Sequence, residues 1–304
     1  MATCSHRVLH AGPLASVRDS ECWEPRSPGT PEELARSHHL VFTRRGVFVK
    51  LQGRRRIVAE PTRVLLFNEG EPYRMSHPVD GGDDCTVLEF PAHVLPEVVA
   101  RHDPAAADRL ERPFTHAHAP ATPALLLRTH LLRQRLHAGA FGALAAEEEA
   151  LGVLDDVLGL AHAAHDAPAP RLRPSTRRAR RELVEATRIA LARDPRADIS
   201  LAALAREVAA SPFHLARTFR AVTGVPVHQY QLQLRAAVAL ERLADDDVSL
   251  GMLALELGFA SHSHFSTAFR RLVGATPSAV RDRLSGARLR ELRKNVEAPL
   301  ALAR

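Results

Sequence analysis

The C-terminal half of this chain repeats itself, and that repeat limits the possible folds more than any other feature. Ser200-Leu201-Ala202-Ala203-Leu204-Ala205-Arg206-Glu207-Val208-Ala209 is followed by Ala210-Ser211 and by a second run ending Phe219-Arg220-Ala221-Val222-Thr223-Gly224. About fifty residues on, Ser249-Leu250-Gly251-Met252-Leu253-Ala254-Leu255-Glu256-Leu257-Gly258-Phe259 leads through Ala260-Ser261 to a run ending Phe269-Arg270-Arg271-Leu272-Val273-Gly274. Each unit opens on a Ser suited to an N-cap, turns, restarts at another Ser and stops on Gly. Two short helices across a tight turn have the sequence form of a helix-turn-helix. Two such units in tandem with matching caps make a specific signal.

At about 100° per residue the second helix of each unit sorts into two faces. Leu215, Phe219 and Val222 share one face of the first, and Phe265, Phe269 and Leu272 one face of the second; these are the expected core. Phe213, Ala216, Arg217 and Arg220 lie opposite in the first, and Ser263, Ser266, Thr267 and Arg270 in the second. A helix about 10–12 Å across fits a DNA major groove, where Arg pairs with guanine edges and Ser or Thr with several bases. Arg217 is therefore expected to read a base. Arg220 and Arg270, with Ser211 and Ser261 at the helix starts, are expected to hold phosphates. Phe213 suits either a thymine methyl or a place under the preceding turn. Between the units, Pro226 to about Leu243 reads as one helix with Leu232, Ala236, Ala239 and Leu243 inward. Its roughly 18 residues span about 27 Å, enough to set two reading helices near one ~34 Å turn of DNA apart.

Charge agrees with that division. Residues 1–165 hold 18 Lys/Arg and 21 Asp/Glu, whereas residues 166–304 hold 23 and 14, a basic half suited to a polyanion. A length of 304 residues suggests two domains. Three cysteines, Cys4, Cys22 and Cys85, are too few for a disulfide framework or a four-thiolate zinc ribbon and point to a reducing compartment. No run reaches the ~18 apolar residues of a membrane span, and Met1 to Val17 lacks a signal-peptide core. The expected location is cytoplasmic, at the nucleoid, with no membrane partner.

The N-terminal half has another texture. Residues 1–35 read as polar and irregular. His38 to Thr43, Val47 to Gln52, Ile57 to Glu60, Val64 to Phe67 and Thr86 to Phe90 are β-rich runs broken by turn signals, the pattern of an antiparallel sandwich or barrel. Pro123 to His137 and Phe141 to His165 carry Leu125, Leu132, Leu136, Leu144, Leu151, Leu154 and Leu158 at helical spacing, an expected hairpin and dimer contact. The fold class is thus α+β: a sensor and dimerisation domain over 1–165, a linker over 166–180, a helical DNA-binding domain over 181–284 and a basic tail over 285–304.

Residues 181–284 resemble the DNA-binding domain of the AraC/XylS family of bacterial transcription regulators. The resemblance rests on Ser211, Leu215, Phe219-Arg220 and Gly224, on Arg235, Ala239 and Leu243, and most densely on Leu257-Gly258-Phe259-Ala260-Ser261-His262-Ser263-His264-Phe265, Phe269-Arg270, Gly274, Thr276-Pro277 and Arg281. It implies base contacts at Phe213, Ala216, Arg217, His262, Ser263 and Thr267. The strand-rich stretch is similar to that family's cupin-like barrel, with Asn68 to Tyr73 and His77-Pro78 as the loop after a barrel strand. The implied partners are a duplex DNA operator, RNA polymerase, a second copy of the chain and a small-molecule effector. No resident cofactor and no enzymatic activity are expected.

Cys22, His38, His77 and Cys85 are the candidates for effector, metal or thiol sensing, with His39 a further ligand type. The strands carry no H-x-H with a carboxylate and third His, which weighs against the rival reading of a cupin-type metalloenzyme with a DNA-targeting domain. The one H-x-H, His116-Ala117-His118, falls between domains and reads as loop. Alkylation repair lacks its zinc thiolates, and an architectural DNA binder has no use for the acidic half.

Overall fold

The computed structural model describes residues 3–107, 109, 111–165, 173–244, 248–285 and 289. The N-terminal half comprises β1 (Thr3–Ala11), β2 (Ser16–Trp23), β3 (Glu33–Leu34), β4 (His38–Gly46), β5 (Phe48–Gln52), β6 (Arg55–Ala59), β7 (Arg63–Phe67), β8 (Pro72–Ser76), β9 (Asp83–Phe90), α1 (Leu95–Ala100), α2 (Pro104–Ala107), β10 (His118–Pro120), α3 (Pro123–His137) and α4 (Ala143–His165). The strands form two antiparallel sheets, ordered β1-β2-β9-β4-β7-β10 and β3-β8-β5-β6. Val41, Leu65, Phe67 and Val87 of the larger sheet meet Phe48, Ile57 and Ala59 of the smaller. Lys50 is enclosed with them: its Nζ donates to Leu66 O at 3.0 Å and Glu71 Oε1 at 3.3 Å, above the Phe67 ring. The central strands are buried on both faces, because α3 and α4 cover the outer side of the larger sheet at Leu40, Phe42, Val64, Leu66, Leu88 and Phe90.

Three expectations change here. Residues 1–35 are not irregular: they supply the β1–β2 hairpin. Strand β1 is exposed along most of its length, and β2 turns Asp19 inward beside Val17, so neither shows clean hydrophobic alternation. That hairpin sets Cys4 opposite Cys22, and the two form a disulfide. Strand pairing has brought together thiols 18 residues apart, so the reading of scattered free cysteines is corrected. The leucine stripes are not a free dimer face either. Leu125, Leu132, Leu154 and Leu158 are buried under the larger sheet, with Leu136 and Leu151 packed beside them. Leu144 alone of the named leucines is largely exposed, at 79%.

The C-terminal half is helical: α5 (Pro174–Arg193), α6 (Leu201–Glu207), α7 (Pro212–Thr223), α8 (Val227–Arg242), α9 (Leu250–Glu256), α10 (His262–Val273) and α11 (Pro277–Leu284). Helix α5 starts within the stretch expected to be linker, with Pro174 at its first turn. Residues 166–172 of that stretch, and the tail beyond Ser285 apart from Leu289, lie outside the described residues.

The two halves share cores. Val47, Val49 and Val58 on the outer face of the smaller sheet join Val184, Leu191, Leu204, Phe219 and Tyr230. Leu127 of α3 joins Leu240, Phe265, Phe269 and Leu284. Three carboxylates fasten the same junction. Glu60 accepts from Tyr230 Oη at 2.6 Å and Arg188 Nη1 at 2.9 Å. Glu185 accepts two hydrogen bonds from Arg63, each of 3.0 Å, and one from Val58 N at 2.9 Å. Glu241 accepts from Arg44 Nη1 at 3.2 Å and meets His130 Nδ1 at 3.0 Å.

Candidate nucleic-acid interface

Each helix pair starts and stops as its sequence requires. The Ser200, Ser211, Ser249 and Ser261 hydroxyls accept from Ala203 N, His214 N, Met252 N and His264 N at 3.1, 3.2, 3.5 and 3.1 Å. These bonds satisfy amide groups that a helix start leaves without partners. Gly224 and Gly274 close α7 and α10 at φ +79° and +83°, where a side chain would be strained.

Residues 211–220 and 261–270 bury and expose the same positions, one for one. Leu215 and Phe265 are fully buried at equivalent places, as are Phe219 and Phe269. Thr218 and Ala268 are buried beside them. Phe213, Arg217 and Arg220 face out from α7; His262, Ser263, Thr267 and Arg270 face out from α10. Ala216 and Ser266 are half-buried at the edge of those faces. Phe213 does not pack under the preceding turn: it is 74% exposed. Two core expectations fail in the last turn of each helix. Val222 is 49% exposed and Leu272 only half-buried, because both lie at helix ends, beyond the tightest packing, and Val273 is the residue buried in the second unit.

The outward arginines are chemically available. Among the described residues Arg217, Arg220 and Arg270 make no ion pair, whereas Arg193 pairs with Glu207 and Arg242 with Glu256. A basic side chain on a convex helix face without an acidic partner keeps its donors for a ligand, and a row of them favours an anion.

Arg235, on the helix between the units, has a role that the sequence motif alone did not reveal. Its guanidinium is buried and donates to Pro195 O at 2.9 Å, Gly258 O at 2.8 Å and Ala197 O at 3.2 Å. One side chain thus ties the loop before α6 to the turn after α9 and fixes one unit against the other. Gly258 sits at φ +73°, and a Cβ there would stand 2.6 Å from Arg196 O and 2.9 Å from Arg235 Nη2. The signal available in the sequence was an Arg on the inner, apolar face of α8, between Leu232 and Ala239.

The candidate sensing residues separate into two places. His77 Nε2 and Cys85 Sγ both meet the Asp83 carboxylate, at 2.9 and 3.1 Å. Burial pushes the Cys85 thiol well up, with Asp83 adding to the effect, so it stays protonated and unreactive. Cys22, in the disulfide, is no free thiol. His38 lies elsewhere, accepting from Glu69 N at 3.1 Å in an open pocket of about 570 Å³ that Glu71 and Arg112 also line. His39 stacks on Phe67, and burial brings its pKa down to about 4. Among the described residues no three His, Cys, Asp or Glu side chains stand converged on one point, and no helix is long and apolar enough to cross a membrane.

Residues 204–283 match the family model of a helix-turn-helix domain. The bifunctional transcriptional activator/DNA repair enzyme AdaA of Bacillus subtilis is 31% identical over 83 residues, which are 27% of this chain and 39% of that protein. The HTH-type transcriptional regulator GlxA of Rhizobium meliloti is 37% identical over 81 residues, 27% of this chain and 25% of its own length. A putative AraC-like transcription regulator of Streptomyces lividans is 33% identical over 91 residues, 30% of each chain. This chain therefore covers well under two thirds of these relatives. The crystal structure of ToxT from Vibrio cholerae aligns with 93% of this chain and 98% of its own at 10% identity, but its TM-score of 0.35 is too low to carry weight. Over its helix-turn-helix region, the chain is thus similar to AraC-like transcription regulators.

Proposed function

We propose that this protein is a sequence-specific, double-stranded DNA-binding transcription regulator. The observation that carries the reading is the pair of helices, α7 and α10, with one burial pattern and two outward faces whose arginines have no acidic partners among the described residues. In this reading α7 and α10 enter adjacent major-groove segments. Phe213, Ala216 and Arg217 of α7 and His262, Ser263 and Thr267 of α10 meet base edges. Arg220, Arg270, Ser211 and Ser261 hold phosphates and set the register. The 16 residues of α8, about 24 Å long, and the Arg235 ties keep the spacing fixed, so the DNA adapts to the protein.

The N-terminal half acts as a cupin-like sensor, and the junction carboxylates Glu60, Glu185 and Glu241 carry its state to the helical half. A coupling of about 1–3 kcal/mol between effector and operator is what such a regulator requires. The pocket beside His38, or a cleft of about 360 Å³ between the halves lined by Arg44, Arg45 and Arg196, offers room for a small molecule. A second copy of the chain and RNA polymerase complete the partners of this reading. The dimer contact then uses a surface other than the leucine stripes, and the site of action is the nucleoid.

Genome-wide selection of DNA fragments with the purified full chain at near-physiological salt tests the proposal. The expected result is a bipartite motif of about 15–20 base pairs with its two elements one helical turn apart. Enrichment that follows only fragment length and collapses with added salt overturns it, since backbone attraction alone behaves that way.

A further inference from the structure

The one H-x-H of the sequence does not lie in an isolated loop. His116 and His118, just before and at the start of β10, meet His162 and His165 in the last turn of α4. Ring centroids lie 4.1 Å apart for His116 and His165, 4.7 Å for His116 and His162, and 5.1 Å for His118 and His165. We propose that His116, His118, His162 and His165 form a binding site for a late first-row divalent metal ion of the zinc or nickel class.

Several observations carry this. The i, i+3 pair on the helix presents two side chains to one side, and His116 and His118 both reach that side. Four imidazoles sharing a tetrahedral ion through bonds of 2.0–2.1 Å hold their ring centres about 5 Å apart, close to the spacings found. His165 Nδ1 donates to Ala161 O at 2.7 Å, which leaves the Nε2 lone pair free to ligate, as backbone-tethered histidines do in metal sites. His118, at the start of β10, is half-buried. The cations facing His118 are answered within the protein: Arg63 pairs with Glu185, and Arg188 with Glu60. An all-imidazole set selects zinc, nickel or copper over magnesium and calcium.

The rings now lie against one another, those of His116 and His165 within 16° of parallel, and their nitrogens do not yet converge. Rotation of the side chains at the exposed end of α4, where His165 is open and His162 half-buried, turns the stack into a ligand set. Bound metal would pin the last turn of α4 to β10, beside the strand that carries Arg63.

The test is a Co²⁺ titration of chelator-treated, tag-free full-length protein. Expected are saturation at one equivalent, the intense visible bands of a tetrahedral nitrogen site, and displacement by Zn²⁺. The double variant His116→Gln/His165→Gln should lose at least tenfold in Co²⁺ affinity while melting at the wild-type temperature without metal. Absence of saturable binding by the wild-type chain overturns the proposal, and so does undiminished binding by the double variant. Should that variant fail to fold, zinc-edge X-ray absorption of the wild-type complex decides. A shell of four nitrogens supports the site; a sulfur-containing or mainly oxygen shell overturns it.

Discussion

Over residues 211–220 and 261–270 the two proposed reading helices bury the same positions, yet α7 presents Phe213 and Arg217 where α10 presents Ser263 and Thr267. The inward residues are held to type by packing: Leu215 or Phe265, then Phe219 or Phe269, each at the same depth. The outward residues are free of that constraint, so their differences report what each helix touches. The units also lean on different parts of the N-terminal half. The core of α7 runs into Val47, Val49 and Val58 of the smaller sheet, whereas the core of α10 runs into Leu127 of α3. A change in the N-terminal half can therefore reach one unit without moving the other equally, unless something holds the units together.

Arg235 is what holds them, and breaking it has the largest expected effect. Arg235→Leu removes a buried guanidinium and leaves the carbonyls of Pro195, Ala197 and Gly258 without it. The loss should be about 3 kcal/mol, the range for a buried charged hydrogen-bonding group. Urea denaturation reads the stability. A loss below about 1 kcal/mol would assign the rigid spacing to α8 alone.

The next effect sharpens the contrast between the outward faces. Arg217→Ala should cost about 1–3 kcal/mol of discrimination at one or two base pairs in the α7 half-site. Thr267→Ala, at the equivalent place on α10, should cost less, since a single hydroxyl is a weaker reader than a bidentate guanidinium. Binding measured across a library of single-base operator variants separates the two. Equal weakening at every sequence would make Arg217 a phosphate contact instead.

How much of this was legible in the sequence follows from the range of the forces involved. Caps, turns and helical spacing act over a few residues, so the tandem units, α3 from Pro123 to His137 and α8 between Pro226 and Leu243 could all be read directly. The arc of outward residues on α7 and α10 was legible for the same reason. What could not be read depends on contacts distant in sequence. The β1–β2 hairpin has little burial to write a pattern into its residues, and its Cys4–Cys22 disulfide follows only from strand register. The leucines of α3 and α4 announced burial but not against what. The ties of Arg235 and the partners of Glu241 join residues far apart in the chain, and no local rule foretells them.

Glu241 makes the anchorage at α3 sensitive to pH. Burial alone would raise its carboxyl pKa, but His130, then Arg44 and Arg133, outweigh burial and bring it down to about 2 from 4.5. A depressed carboxyl stabilises the fold above its unfolded value, and that contribution is lost as pH falls from about 4.5 toward 2. The side chain is a quarter exposed, so the expected effect is only about 1 kcal/mol. Thermal melts at descending pH should show Glu241→Gln less stable than the wild-type chain near neutrality and converging with it in acid. A constant gap would mean that the carboxylate charge contributes nothing at this junction.

The smallest effect asks whether the helices differ at Arg220 and Arg270, where their sequences agree. Both side chains are exposed, end the matching stretch and make no ion pair among the described residues. Replacing one phosphate contact lowers the slope of log affinity against log salt by about 0.9 and leaves base preference unchanged. Arg220→Ala and Arg270→Ala should each do so to the same extent, because the same frame places them alike. A change of base preference in one variant would show that its helix lies deeper in the groove than its counterpart. The shared burial pattern would then describe how each unit folds without fixing how it docks, and the angle between the units, set through Arg235, would become the variable that selects the operator.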